Sequence, residues 1–304
     1  MKKKVGEHVS FKEEFIANYR IYLMLAPFFI LFFIFTILPI LSAMVLSFTD
    51  FNMLEMPRFS FISNYLRLIF DDDIFLTALK NTIVIAAVAG PASYMACWIV
   101  AWQVNEFSPK IRTLFTFVFY IPSLTAGAIT IWSYFFSGDS YGLINAWLLK
   151  IGLIKAPVLW LTDPNINLGV VIGISIWLSL GVSFLTFIAG LQTVDRSLYE
   201  AGAIDGVKNR WQEMWFITLP QMKPQLLFGA VMQIAASFSV AYVPMTLTGF
   251  PSVNYSTHTV IAHVIEMGTI RYEMGYAAAI SSVLFIIMIL VKKLLTMFLN
   301  RVGT

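Results

Sequence analysis

The stretch 192–224 contains Glu200-Ala201-Gly202-Ala203-Ile204-Asp205-Gly206, followed by Ile217-Thr218-Leu219-Pro220. It is polar, and it lies between two hydrophobic segments that are each long enough to cross a membrane. Two spans without a partner need a connection of only a few residues, and this one is much longer. We therefore expect it to be a helix-turn-helix that a partner grips on one side of the bilayer.

Two cap signals predict short helices inside this stretch. Ser197, followed three residues later by Glu200, has the spacing of a capping box, in which both side chains satisfy backbone N–H groups at a helix start. The pattern predicts a helix over 197–205 that Gly206 ends in the left-handed conformation. Asn209 begins a second short helix, which carries Trp211, Met214, Trp215 and Phe216.

The first of these helices carries a run of minimal side chains, Ala201, Gly202 and Ala203. They would let the surface of another protein approach the backbone closely. The same run would also suit a helix with no partner, because alanine is a strong helix former and Glu200 can act only as a cap. The length of the stretch favours docking over this simpler interpretation.

Composition sets the class of protein. Of the 304 residues, 59% are hydrophobic and 12% are charged, whereas a soluble domain has about 25% charged residues. The chain is therefore an integral membrane protein in contact with lipid. A net charge of +3, spread over short loops, argues against nucleic acid as a partner.

Hydropathy predicts an all-α membrane fold with six transmembrane helices. An N-terminal tail, 1–20, precedes a six-helix domain, 21–299, and the stretch 192–224 is a loop within it. The predicted spans are about 21–49, 81–105, 113–138, 166–191, 226–249 and 275–298.

The positive-inside rule predicts that both termini are cytoplasmic. That orientation places fourteen of the twenty Lys and Arg residues on the cytoplasmic face: Lys2, Lys3, Lys4, Lys12, Arg20, Lys110, Arg112, Arg196, Lys208, Arg210, Lys223, Lys292, Lys293 and Arg301. Only six remain outside: Arg58, Arg67, Lys80, Lys150, Lys155 and Arg271. The stretch around Glu200 is therefore predicted to be cytoplasmic, and the chain to be a multi-pass protein of a bacterial cell membrane.

Two features of the outer connections carry local predictions. Asp71-Asp72-Asp73 is expected to be an acidic helix start rather than a cation site, since no further acidic ligand follows at regular spacing. The segment 141–149 predicts a short interfacial helix with Tyr141 and Trp147 at headgroup depth.

The sequence shows no pattern of residues typical of ion coupling, catalysis, ATP hydrolysis or metal binding. No ionisable residue lies well inside a span, which argues against ion-coupled transport. No catalytic constellation is visible, so we predict no catalytic residues. The sequence also contains no phosphate-binding loop, so we expect ATP to be hydrolysed by another polypeptide. The histidines, His8, His258 and His263, look dispersed; His258 and His263 are five residues apart, with only Glu266 as a nearby carboxylate. We therefore expect no metal and no cofactor, and Cys97 alone forms no disulfide.

The loop motif resembles that of the permease subunits of binding-protein-dependent ABC importers, which read Glu-Ala-Ala, three residues, Gly, about nine residues and Ile-x-Leu-Pro. Here Gly202 replaces the second alanine, and ten residues separate Gly206 from Ile217. Further segments resemble the carbohydrate-uptake branch, with its maltose- and oligosaccharide-type permeases: Ala26-Pro27, Pro39, 46–50, 64–65, 78–82, 141–145, 159–161, 190–192, 198–200 and 275–277.

The resemblance implies a type I importer fold and a set of partners. These are cytoplasmic ATP-binding subunits, a second homologous permease, an extracellular solute-binding protein and a carbohydrate. It implies that the ATPase docks on Glu200, Ala201, Gly202, Ala203, Asp205, Gly206, Trp211, Ile217, Leu219 and Pro220.

The resemblance also implies that the fourth and fifth spans line the translocation path. Their polar and aromatic residues are candidates for sugar contact: Trp177, Ser179, Ser183, Gln233, Ser237, Ser239 and Tyr242. Ser179 and Ser183 are four residues apart, as are Gln233 and Ser237, so each pair is expected to share a helix face. Alternatively, such serines only bond their own helix or support packing.

Two other interpretations stay open at this point. The chain could be an ABC permease for another solute, such as a peptide or a phosphorylated polyol. It could also be a membrane enzyme or scaffold, against which the missing catalytic residues and the docking element both argue.

Overall fold

The computed structural model describes residues 18–125 and 127–302, and it is built from helices. In chain order the first helices are α1 (Tyr19–Leu46), α2 (Ser63–Phe70), α3 (Asp73–Asn105), α4 (Pro109–Leu124), α5 (Ala128–Phe135), α6 (Leu143–Lys150) and α7 (Asn167–Leu178). They are followed by α8 (Val182–Thr193), α9 (Arg196–Ile204), the composite α10 (Arg210–Glu213, Met214–Thr218 and Leu219–Gln221), α11 (Lys223–Phe238), α12 (Tyr242–Thr248), α13 (Val260–Ile270) and α14 (Met274–Val302).

The described part of the chain has four to six candidate spans, and it matches the six predicted spans when each bent helix pair is counted as one span. Helices α1, α3 and α14 are each long and apolar enough to cross a membrane, as is the stretch Asn167–Thr193 formed by α7 and α8. The pairs α4–α5 and α11–α12 supply two further spans, each broken, with a bend of 41° between α11 and α12. Most of the predicted tail 1–20 lies outside the described residues, and the sidedness of the termini stays a prediction.

The span boundaries differ from the predicted ones for identifiable reasons. The second span begins at Asp73 rather than at residue 81, because the Asp72 side chain caps the helix by accepting a 2.8 Å hydrogen bond from the Phe75 N–H. This confirms the acidic helix start. The fourth predicted span is interrupted between α7 and α8, where Ser179 and Gly181 lie outside regular helix.

Helix α3 is the centre of the molecule. It packs against α7, α8, α11 and α13, and three buried clusters lie along it. Ala78 and Ala86 belong to the cluster near its start, Ile85 and Ala89 to the middle one, and the cluster near its end includes Cys97, Trp98, Ala101 and Val104. Cys97 is a free, buried thiol, as expected of a lone cysteine in a span.

The first span packs differently from the others. None of the residues of α1 is buried, and it touches the rest of the chain mainly where its last part, Leu38–Leu46, lies against α14. Its large apolar side chains, such as Leu23 and Phe35, are mostly exposed. Lipid or another subunit must therefore cover this helix in the membrane.

The backbone that follows α1 packs tightly against α2 and the start of α14. The Asn64 side-chain amide donates hydrogen bonds to the carbonyls of Ser47 (2.9 Å) and Thr49 (3.0 Å). The Gly275 N–H donates to the Phe51 carbonyl at 2.9 Å, and a Cβ added at Gly275 would lie only 1.9 Å from the Thr49 carbonyl oxygen. Glycine is thus the only residue that lets α14 begin at this place.

A buried ionisable network lies at the start of α3. Asp72 accepts hydrogen bonds from the Tyr276 hydroxyl (2.6 Å) and the His263 Nε2 (2.9 Å) as well as from the Phe75 N–H. Burial works to raise the pKa of Asp72, but these bonds outweigh it and hold that pKa well below its usual range. Sequence reasoning missed this network, because it joins residues about 190 to 200 positions apart.

Two histidines that look dispersed along the chain meet in this network. The ring centroids of His258 and His263 lie 5.5 Å apart, so the expectation that they are dispersed is wrong. His258 precedes α13, and the Thr259 side chain then caps that helix. Burial, with the neighbouring His263, lowers the pKa of His258 to about 4, so its imidazole is neutral at physiological pH.

Candidate functional site

The stretch 192–224 folds into two short helices, as predicted, but the first begins earlier than expected. Helix α9 starts at Arg196, and its cap is Asp195, whose carboxylate accepts a 3.0 Å hydrogen bond from the Ser197 N–H. The predicted capping box of Ser197 and Glu200 is therefore wrong, because an aspartate two residues before Ser197 takes the cap position. Hydrogen bonds from Ser197 hold the pKa of Asp195 below its usual value.

The turn between the two helices is as predicted. Gly206 has φ +93°, the left-handed conformation that favours glycine. Asn209 caps α10 by accepting a 2.9 Å bond from the Gln212 N–H, and the Gln212 side chain accepts in return from the Lys208 N–H at 2.7 Å. The side chains of Asn209 and Gln212 thus fix the backbone where the turn ends and α10 begins.

A π-helical turn, Met214–Thr218, lies inside α10. Such a turn accommodates one more residue than the α-helical turn it replaces. Ten residues separate Gly206 from Ile217, and the π-turn lies at the end of this stretch, before Pro220.

Helices α9 and α10 pack tightly on each other. Gly202 is buried, and a Cβ added there would lie 2.6 Å from the Ile217 Cδ1. The hydroxyls of Tyr199 and Thr218 form a 2.9 Å hydrogen bond across the same contact. Gly202 and Ile217 therefore hold the two helices together. Gly202 is buried in this contact, whereas Ile217 is half-buried and its docking role stays a prediction.

The loop is fixed to the spans on two sides. The Arg210 guanidinium forms a 2.7 Å ion pair with Glu106, the residue that follows α3, and it also pairs with Glu213. The Trp211 ring lies against the Trp102 ring of α3, with centroids 5.1 Å apart. On the other side, Met214 and Met222 are buried in the cluster formed by α3 and α8, and Leu219 packs against it.

Most of the predicted docking residues are exposed. Exposed are Glu200, Ala201, Ala203, Asp205, Gly206, Trp211 and Pro220. Sequence reasoning left three exposed apolar side chains out of the docking set: Ile204 (87% exposed), Trp215 and Phe216. Ile204 follows the small-residue run directly, and this position was the available signal.

The predicted pairing of Ser179 with Ser183 is wrong. Ser179 ends α7, where its hydroxyl donates to the Ile176 carbonyl at 2.6 Å, whereas Ser183 lies in the next helix. The break at Gly181 removes the continuous helix on which two residues four apart share a face.

Ser183 instead faces α11. Its hydroxyl contacts the Gly229 carbonyl (3.2 Å) and the Gln233 Oε1 (3.4 Å). Gln233 and Ser237 share one face, as predicted, and the Ser237 hydroxyl donates to the Gln233 carbonyl at 2.8 Å. Both border a cavity of about 700 Å³ between α3, α11 and α14, which is otherwise lined by apolar residues and Tyr94.

Trp177 belongs to a separate aromatic cleft. Its ring lies edge-on to the Trp132 ring, with centroids 5.2 Å apart, and Phe136 and Trp160 continue the same aromatic group. These rings border a cavity of about 400 Å³ beside α7. Ser239 and Tyr242 lie at the break between α11 and α12 and are exposed. The seven candidates thus divide into a buried polar group, an aromatic cleft and two helix breaks, with Ser179 at the break between α7 and α8.

The fold and this loop together define a class: a multi-pass membrane subunit whose spans are joined by a rigid helical pair on one face. Comparison with known proteins identifies the family. Residues 93–303 match the family described as the binding-protein-dependent transport system inner membrane component, and the chain belongs to it. The predicted family and the location in the cytoplasmic membrane are confirmed, and members of this family are transport components rather than enzymes.

Two curated relatives align over most of their length. The chain is 34% identical to the lactose transport system permease protein LacF of Rhizobium radiobacter, over 92% of this chain and 93% of the relative. It is 31% identical to the arabinooligosaccharides transport system permease protein AraP of Bacillus subtilis (strain 168), over 89% and 85%.

A solved structure shows the same fold. The chain superimposes on one from a bacterial ABC transporter involved in the import of the acidic polysaccharide alginate, with a TM-score of 0.76 and 22% identity. The match covers 96% of this chain and 99% of the other. The type I importer permease fold predicted from the motif is therefore confirmed.

Proposed function

We propose that this chain is a permease subunit of an ATP-driven carbohydrate importer, with an oligosaccharide as substrate. The names of the curated relatives support the substrate class, since they refer to lactose and to arabinooligosaccharides. In this proposal the chain forms half of the translocation path, a second homologous permease forms the other half, and a solute-binding protein delivers the sugar from outside.

The observation that carries the proposal is the exposed face of the α9–α10 pair. It combines the small side chains of Ala201 and Ala203 with the apolar side chains of Ile204, Trp215 and Phe216. A separate ATPase subunit would bind this face, so that closure of the ATPases on ATP moves the pair. A single loop is smaller than a standard interface of about 800 Å² per partner, so other cytoplasmic segments must add to it.

Movement of the pair would reach the spans through contacts already described. Glu106 and Trp102 lie at the end of α3 and meet Arg210 and Trp211, and Met222 lies directly before α11. Since α3 and α11 border the cavity beside Gln233, displacement of the loop as a rigid body would change the shape of that cavity.

We place the sugar path along α7, α8, α11 and α12. Gln233, Ser183 and Ser237 would offer hydrogen bonds to hydroxyl groups, and Trp177 with its aromatic neighbours would offer ring faces. Trp177, Ser179, Ser239 and Tyr242 remain candidates on the same grounds. The loop and both termini lie in the cytoplasm in this arrangement.

Docking can be tested with two matched substitutions. Ile204 is 87% exposed on the candidate docking face, and Leu54 is 88% exposed in the connection between α1 and α2. The chain is purified from its native membrane in mild detergent, and co-purifying ATPase subunits are identified by mass spectrometry and ATPase activity. We expect Ile204→Asp to reduce the recovered ATPase at least about tenfold, and Leu54→Asp to leave it unchanged.

Two results would contradict the proposal. If the wild-type chain is recovered without any nucleotide-binding subunit, the chain is not an ABC permease in that membrane. If Ile204→Asp recovers as much ATPase as the wild type, the partner binds elsewhere. Uptake of labelled lactose and of arabinooligosaccharides by cells that express the complete transporter then tests the substrate class.

A further inference from the structure

Three buried side chains that lie close together near the start of α3 each carry an unpaired polar atom. His258, His263 and Glu266 are exposed by only 2%, 0% and 6%. A ligand atom from each lies within 4.8 Å of those of the other two. The His258 Nε2, the His263 Nδ1 and the Glu266 Oε2 have no hydrogen-bond partner, and the first and last of these are 3.6 Å apart.

The surrounding residues fix which atoms remain unpaired. His263 bonds the Asp72 carboxylate through Nε2, and a carboxylate only accepts, so Nε2 is the donor of this bond and Nδ1 is the ring nitrogen left without a partner. Arg271 donates two bonds to the Glu266 Oε1, at 2.7 and 3.1 Å, which leaves Oε2 unpaired. The His258 ring is held between the rings of Phe250 and Tyr255.

A carboxylate oxygen and the ring nitrogens of neutral imidazoles can all act as metal ligands. Leaving a buried polar atom unpaired is unfavourable, and a cation would satisfy all three at once. Two neutral imidazoles and a carboxylate are ligands that suit zinc, and a carboxylate behind a metal-binding histidine is the usual way to orient its ring.

We propose that His258, His263 and Glu266 bind a divalent transition-metal ion, with zinc as the best fit and a water molecule as fourth ligand. Neighbouring ligands of tetrahedral zinc are about 3.4 Å apart, close to the 3.6 Å between the His258 Nε2 and the Glu266 Oε2. Through Asp72 and Tyr276 the ion would tie the starts of α3 and α14 to α13, so its role is structural.

This proposal replaces the expectation drawn from the spacing of the histidines. Two residues five apart do not share a face of an α-helix, but His258 lies before the extended cap residue Thr259, and its ring contacts the His263 ring. The π-helical turn Glu266–Ile270 follows directly and begins with the third ligand. The proposal does not depend on what the permease transports.

Zinc binding can be measured on the whole chain. The protein is purified with a tag that contains no histidine, treated with a chelator, dialysed against zinc and analysed for metal by mass spectrometry. We expect about one zinc ion per wild-type chain, and at least about a tenfold loss of retained zinc in His258→Gln and in Glu266→Gln. The controls His8→Gln and Glu55→Gln, which remove a histidine and an exposed carboxylate elsewhere, should retain the ion.

A second measurement needs no variant. Because a ligand that binds only the folded state raises the unfolding temperature, zinc should raise the Tm of the chelated wild-type chain, and a chelator should reverse the shift. If wild-type protein retains no more zinc than Glu266→Gln and its Tm does not respond, an ordered water occupies the cluster and the proposal is overturned. Equal zinc in His258→Gln and the wild type would also overturn it.

Discussion

At the scale of single residues, glycines decide how closely backbones approach. Gly202 lets α9 meet Ile217, and Gly275 lets α14 begin beside the Thr49 carbonyl. Neither contact can be predicted from a glycine in a sequence, because each depends on how another segment packs against it. Gly206 is different, since its left-handed conformation follows from its place after a short helix.

Gly275 provides a test of this close approach. A Cβ there would meet a backbone oxygen at 1.9 Å, and backbone cannot move aside as a flexible side chain does. We expect Gly275→Ala to destabilise the protein by about 1–3 kcal/mol, as overpacking does. Gly169→Ala is the control, because a Cβ at Gly169 would meet nothing within 4 Å. Thermal unfolding in detergent measures both, and equal Tm values would contradict the packing described here.

Gln233 tests the proposed sugar path. Its amide is buried beside the cavity and contacts Ser183, so Gln233→Leu removes hydrogen-bonding capacity while keeping similar volume. We expect sugar uptake by the complete transporter to fall about tenfold, because the loss of one hydrogen bond to the substrate has an effect of about that size. Ser282→Ala removes a hydroxyl that bonds only its own helix and should leave uptake unchanged. Wild-type uptake in Gln233→Leu would mean that this residue only packs.

At the scale of elements, the α9–α10 pair is a rigid unit attached to α3 and α11. Its stiffness comes from the Gly202–Ile217 contact, the Tyr199–Thr218 hydrogen bond and the left-handed turn between the helices. A stiff element transmits displacement, whereas a flexible loop would absorb it. The angle between the two helices should therefore matter more for transport than the chemistry of any one exposed side chain.

The turn offers a test of that idea. Proline fixes φ near −65°, so Gly206→Pro cannot keep the observed φ of +93° and should change the angle between α9 and α10. We expect uptake to be abolished while the protein still inserts into the membrane. The control is Gly152→Pro, in an outer connection, where φ is +73° and the surroundings are equally open. Wild-type uptake in Gly206→Pro would argue against a coupling role.

At the scale of the whole molecule, six spans leave one helix almost uncovered. None of the residues of α1 is buried, whereas α3 has neighbours on most sides. Lipid or another subunit must cover this helix. The distribution of Lys and Arg predicts that the α9–α10 pair lies in the cytoplasm.

Orientation can be tested simply, because Cys97 is the only cysteine. In a Cys97→Ala background, new cysteines are placed at the exposed positions Lys150 and Lys208. A membrane-impermeant maleimide added to intact cells should label Lys150→Cys, and it should label Lys208→Cys only after the membrane is opened. Labelling in the opposite pattern would place the loop, and the proposed ATPase partner, on the wrong side.

The sequence alone determined the class of the protein, the number of spans, the helix-turn-helix around Gly206 and the family. Hydropathy and capping act over a few neighbouring residues, so a linear pattern reports them directly. Only the tertiary structure decided the break at Gly181, the burial of Gly202, the meeting of Ser183 with Gln233 and the cluster of His258, His263 and Glu266 with Asp72. These depend on contacts between helices distant in sequence, and such contacts arise from packing that no local pattern records.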